Sequence, residues 1–146
     1  MHDRFTTLAE AVVGALADVG VTGAIGEIPN EYCAGQYSVN LRGSRKVMGV
    51  GQRLSRSAAQ IGGMVVVDDP DDINTVLEPV YAALGVPMDP SATGSIADVA
   101  AVTNEAITNA FVERIAHGRA TVDGGIDDVT RDLAEGLRPN HVPPLA

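Results

Sequence analysis

The sequence predicts an α+β fold, a small antiparallel or mixed sheet covered by helices. Three observations point there. Apolar residues recur at helical spacing at the amino end. A glycine-punctuated middle then carries short alternating segments, and the rest of the chain reads as capped helices. In residues 4–18, Phe5, Leu8, Val12, Ala15 and Leu16 share one helical face, and Gly20 is a natural stop. Residues 23–32 read as a short strand entering a loop at Pro29-Asn30. Tyr37, Val39 and Leu41 alternate with Ser38 and Asn40, as in a half-buried strand. Arg42-Gly43-Ser44 makes a tight turn, residues 45–54 form the second arm of a hairpin, and the stretch through Met64–Val67 forms a further strand. Asp69, Pro70, Asp71 and Asp72 open a helix as cap and first turn, Pro79 kinks or splits it, and Gly85 ends it. Residues 86–94 read as a loop. A short helix and a longer one follow, stopped by Gly118, and a last helix begins near Ile126. A domain over 1–138 and a proline-rich tail over 139–146 are expected.

Composition narrows the function. The chain has 146 residues, the size of one domain, and is 45% hydrophobic but only 3% aromatic, so its core must be aliphatic. The start lacks a secretion-signal pattern and no apolar run is long enough to span a bilayer, so a soluble cytoplasmic protein is expected. One cysteine and three scattered histidines give neither a disulfide framework nor metal-ligand spacing. The acids around Asp69 read as helix-start residues, and no metal site is expected.

The net charge of −9 argues against nucleic acid as main partner. That charge is uneven. No acid lies between Glu31 and Asp68, a stretch holding Arg42, Arg45, Lys46, Arg53 and Arg56, whereas from residue 63 onward there are 14 acids and 4 bases. Such a basic island suits a small anion, or is an ordinary solvated strand face. Strict alternation from Arg45 puts Arg45, Val47, Gly49, Gly51 and Arg53 on one face and Lys46, Met48, Val50, Gln52 and Leu54 on the other. Two glycines on one face mark a close approach, by a ligand or by a packed element.

The pattern Tyr32-Cys33, Tyr37-Ser38-Val39, Gly43, Lys46-Val47, Gly49 and Gln52-Arg53 resembles the biotin/lipoate protein ligase family. The branch it resembles most is that of octanoyltransferases and lipoate–protein ligases. The resemblance implies that this chain is the carboxy-terminal portion of that catalytic domain. It implies acyl transfer of an octanoyl or lipoyl group to a lysine of a lipoyl domain or H protein, with an acyl carrier protein as donor. Cys33 would carry the acyl group as a thioester, and Lys46 would meet the acyl carbonyl. Tyr37, Arg45, Gly49, Gly51, Gln52 and Arg53 would line the substrate. No cofactor is implied for transfer; ATP and magnesium are implied for the alternative, a ligase. The family's arginine-rich triple-glycine loop is absent, and Gln60-Ile61-Gly62-Gly63 stands where relatives often have a His-Gly pair. Those departures imply a further alternative, a non-catalytic accessory or truncated subunit, with a separate chain supplying the first half of the domain.

Overall fold

The computed structural model describes residues 2–140. The proline-rich tail expected over 139–146 falls almost wholly outside them. Four strands, β1 (Gly23–Ile25), β2 (Val39–Leu41), β3 (Arg45–Leu54) and β4 (Ala59–Val65), form one antiparallel sheet in the order β1-β2-β3-β4. The helices are α1 (His2–Asp18), α2 (Pro70–Leu84), α3 (Asn104–Ala116) and α4 (Asp128–Leu137). The α+β meander read from the sequence is therefore the fold. No helix among the described residues is long and apolar enough to cross a membrane.

The core lies between α1 and the sheet. Ala9, Val12, Ala15 and Leu16 of α1 meet Val39, Leu41, Val47 and Met48, with Ile96 and Ile107 closing the edges. α3 lies along α1, where Arg114 pairs with Asp18 and its guanidinium crosses over Gly14. The distal half of the β3–β4 hairpin has little cover. Leu54 and Met64 are exposed there, and the outer edge of β4 pairs with no strand among the described residues.

Three local expectations change. β2 is buried on both faces, because its polar residues have partners. The Asn40 amide donates to the Gly26 carbonyl at 3.0 Å and accepts from the Gly43 N–H at 3.0 Å, and Ser38, just before the strand, donates to Glu31. α2 runs unbroken through Pro79, which stands on the exposed side, where water can satisfy the Thr75 carbonyl the ring leaves free. Asp69 precedes α2 with φ +46° and makes no side-chain cap.

The start of β3 is also held from the side. The Gly94 N–H donates to the Lys46 carbonyl at 2.9 Å, and Arg45 pairs with Asp98 at 3.0 Å. Burial tends to raise the Asp98 pKa, but the Ser95 N–H and the Arg45 guanidinium outweigh it and hold it below the usual carboxylate range. A Cβ on Gly94 would lie 2.6 Å from the Arg45 Cβ, an atom that cannot swing away. Gly94→Ala is expected to cost about 1–3 kcal/mol. An unchanged urea midpoint would show that the 93–95 segment is free to shift.

Candidate active site around Cys33 and Lys46

The site is organised by residues 28–38, a loop between β1 and β2 that folds over the first turn of β3. Its anchor is Glu31, whose side chain is fully buried. One carboxylate oxygen accepts from the Ile28 N–H at 3.1 Å. The other accepts from the Gly35 N–H at 3.2 Å, from the Ser38 hydroxyl and from the Lys46 ammonium at 3.1 Å.

Lys46 is equally inaccessible. Its Nζ also donates to the carbonyls of Tyr32 at 2.7 Å and Cys33 at 2.8 Å, so all three ammonium hydrogens have acceptors. The Tyr32 ring lies below, its centroid 4.7 Å from Nζ. Burial above all, and then coulombic interaction with the neighbouring Cys33, Glu31 and Tyr81, pushes the Tyr32 phenol up to about 12. An ion pair this dry is sustained only by such complete hydrogen bonding.

A bulge brings Lys46 to this position. Val39 pairs with Met48 and Asn40 with Lys46, so Val47 is an extra residue in β3. This corrects the strict alternation, which sets Lys46 and Gly49 on opposite faces. A Cβ on Gly49 would stand 3.5 Å from Lys46 Cε and 3.7 Å from Nζ, so the two share a face. Gly51 is directly opposite Gly62, and neither has an atom within 4 Å of where its Cβ would be. The glycine strip is open at that end and is not sealed beneath a helix.

Cys33 is exposed, with φ +44° in the left-handed region. The Lys46 bond to its carbonyl holds that backbone from below. From α2, the Tyr81 hydroxyl accepts the Cys33 N–H at 2.6 Å and lies 3.8 Å from Sγ. The thiol lines a cavity of about 280 Å³ with His2, Phe5, Tyr37 and Val50. Tyr37 is fixed there, stacked on Phe5 at 5.1 Å between centroids and bonded to His2 at 2.8 Å.

The expected residues therefore divide. Cys33, Lys46, Tyr37 and Gly49 come together around the loop. Gly51 continues the open strip, and Arg53 follows it, exposed and without an ion pair among the described residues. Gln52 is half-buried with its Oε1 unpartnered. Arg45 turns to Asp98 and lines a different cavity. Glu31 and Tyr81 were given no part by the sequence, and Tyr32 and Ser38 entered only as members of the resembling pattern, without a role. The one available signal was Glu31 itself, the last acid before the long acid-free stretch that contains the chain's single lysine.

Removing one partner of the buried pair leaves the other charge stranded. Glu31→Ala is expected to cost about 3–5 kcal/mol, and the Glu31→Ala/Lys46→Met double variant clearly less than the two single losses combined. Denaturant unfolding of the three variants checks this; strict additivity would contradict the coupling.

No protein-family model and no curated protein matches the chain. Solved structures do. A T. acidophilum protein assigned as a lipoate protein ligase, with lipoic acid bound, aligns with TM-score 0.71 and 21% identity over 94% of this chain and 54% of its own. Lipoate-protein ligase A bound with ATP aligns with TM-score 0.69 and 20% identity over 94% of this chain and 54% of its own. A structure of an archaeal lipoylation system, a bi-partite lipoate protein ligase and its E2 lipoyl domain from Thermoplasma acidophilum, aligns with TM-score 0.64 and 20% identity. The chain spans about half the length of these structures, consistent with the carboxy-terminal portion of the domain, and its fold is part of the lipoate ligase fold.

Proposed function

We propose that this chain carries the acyl-accepting thiol of a lipoate-pathway transferase, moving an octanoyl or lipoyl group to the lysine of a lipoyl domain or H protein. The observation that carries the reading is the placement of Cys33. It is an exposed thiol on a backbone clamped from below by Lys46 and from α2 by Tyr81, at the mouth of a cavity walled by Phe5, Tyr37 and Val50. That wall suits an aliphatic chain, and the thiol is part of the same lining, within reach of a bound acyl group.

In the first half-reaction the Cys33 thiolate attacks the carbonyl of an acyl thioester on acyl carrier protein. A carbon–sulfur bond forms, the tetrahedral intermediate collapses, and the carrier thiolate leaves and takes up the proton Cys33 gave away. In the second, a neutral lysine amine attacks the Cys33 thioester. The amide bond forms, the cysteine thiolate departs, and the amine's proton passes to solvent. Lys46 serves here by fixing the Cys33 main chain, since its three hydrogens are already engaged. Presenting the ammonium to the acyl carbonyl requires one of those bonds to be exchanged for the substrate. Gly49 above Nζ leaves room for that exchange. Gly51, Gln52 and Arg53 extend the same strand toward the donor, while Arg45 acts at a distance by holding the base of β3.

A second reading is favoured by the half-length match and by the unpaired edge of β4. In it the chain is one part of a two-part enzyme, completed by a segment or separate polypeptide corresponding to the other half of the neighbouring structures. Such a pair could work as an ATP- and magnesium-dependent ligase. Among the described residues no three His, Cys, Asp or Glu side chains gather into one group, so magnesium in such a pair would be held largely by the nucleotide phosphates.

Octanoyl-acyl carrier protein is expected to leave a hydroxylamine-labile adduct on Cys33, seen by intact-mass and peptide mass spectrometry and lost in Cys33→Ala. Modification of a lipoyl-domain lysine from free octanoate or lipoate that needs ATP and magnesium, and that persists in Cys33→Ala, would favour the ligase. No adduct under any condition, in a protein whose circular dichroism is native, would sink the thioester route.

A further inference from the structure

We propose that the Tyr81 hydroxyl is the hydrogen-bond donor to the Cys33 thiolate and, by that bond, sets how readily the sulfur releases its acyl group. The placement is a product of tertiary structure. Tyr81 lies near the carboxy end of α2, and its hydroxyl reaches a residue 48 positions away in sequence. The segment after α2 ties the helix and the loop together. The Asn74 side-chain amide donates to the Pro90 carbonyl at 3.1 Å, and the Asp89 N–H donates to the Asn30 carbonyl at 2.9 Å.

A phenol both accepts and donates, and the geometry gives each function to the same residue. The Tyr81 oxygen accepts the Cys33 N–H at 2.6 Å, which leaves its own hydrogen to find an acceptor. Among the described residues that acceptor is Cys33 Sγ, at 3.8 Å. A neutral thiol at this range is a weak acceptor, whereas a thiolate is a strong one. The Cys33 N–H draws the Tyr81 phenol down, but burial and the adjacent thiol outweigh it and hold it above its ordinary range, so the hydroxyl keeps its hydrogen near neutral pH. The other titratable groups around the loop are engaged elsewhere. Glu31 and Lys46 are spent on each other and on the loop main chain, His2 of α1 is bonded to Tyr37, and the Tyr32 ring lies under the Lys46 ammonium.

The bond acts unevenly on the two half-reactions, and this part rests on the function proposed above. In the acyl-enzyme the sulfur belongs to a thioester and accepts poorly. As the lysine amine expels it, the carbon–sulfur bond breaks, its electron pair stays on sulfur, and the Tyr81 hydrogen bond strengthens with the growing charge. Stabilisation that grows toward the transition state speeds the step. In the first half-reaction the same bond favours the thiolate before it attacks, and so makes it a milder nucleophile. Tyr81 is therefore assigned chiefly to release. It transfers no proton; the amine's proton still passes to solvent.

The first measurement needs no acyl donor. Alkylation of Cys33 by iodoacetamide is followed against pH in the full chain, and its midpoint is expected to rise by about one pH unit in Tyr81→Phe. An unmoved midpoint, in a variant with native circular dichroism, would overturn the bond. The second is a chase at a pH above both midpoints, where wild type and variant hold equal thiolate. Octanoyl-Cys33, formed from octanoyl-acyl carrier protein, is mixed with a lipoyl domain and its loss timed by intact-mass spectrometry. Tyr81→Phe should release the acyl group about tenfold more slowly, with acylation slowed much less. Equal slowing of both steps would make Tyr81 a support for the loop alone and overturn its part in release. Tyr81→p-aminophenylalanine keeps a hydrogen to donate from nearly the same place and should recover part of the release rate; no recovery would count against the donor role. Wild-type protein that never acylates, with the alkylation midpoint displaced as expected, would retire the transferase and keep the hydrogen bond.

Discussion

One buried ion pair governs the middle of this protein. Glu31 and Lys46 meet at 3.1 Å with both side chains fully out of water, a situation that only full hydrogen bonding can sustain. The chain meets that demand by curling residues 28–38 into a collar. Two backbone amides and a serine hydroxyl converge on the carboxylate, and two carbonyls converge on the ammonium. The left-handed turn at Cys33 is one consequence, because the carbonyls of residues 32 and 33 must both point inward to reach Nζ. A thiol that looks like an isolated surface group is therefore mechanically continuous with the most deeply buried charge in the fold.

Seen this way, the bulge at Val47 and the glycine at 49 belong to the same device. Without an extra residue, Lys46 would leave the face that carries Gly49. Without the glycine, a side chain would crowd the ammonium. α2 adds a grip from another direction through Tyr81, and Asp89, which caps the short 3₁₀ segment Pro90–Ala92, adds one more through its N–H, which donates to the Asn30 carbonyl at 2.9 Å. The loop is held from three sides by elements distant in sequence, so its conformation is a property of the whole fold.

That explains what could and could not be read beforehand. The hairpin β2–β3 and its turn were legible, because alternation and Arg42-Gly43-Ser44 are local signals. So were the helices, through apolar spacing and glycine stops. The cysteine and lysine were legible as chemistry, but their arrangement was not. The Glu31–Lys46 pair spans 15 residues, and the Tyr81 contact with Cys33 spans 48, distances over which no periodicity speaks. The bulge was hidden too, since Lys46-Val47-Met48 fits plain alternation as well as it fits an inserted residue. The polar residues of β2 read as solvent-facing and turned out buried, because their partners are loop atoms that pattern does not reveal.

The bare outer flank of β4 has its own bearing on how the protein behaves in bulk. Ala59–Val65 carries no charge, and its free row of amides and carbonyls is a ready template for another β-segment. Two restraints act against indiscriminate stacking of copies. Gly62-Gly63 makes the strand entropically poor at ordering a stranger beside it, and the overall negative charge keeps like molecules apart. The second restraint is ionic and weakens as the medium grows saltier; the first belongs to the backbone and does not.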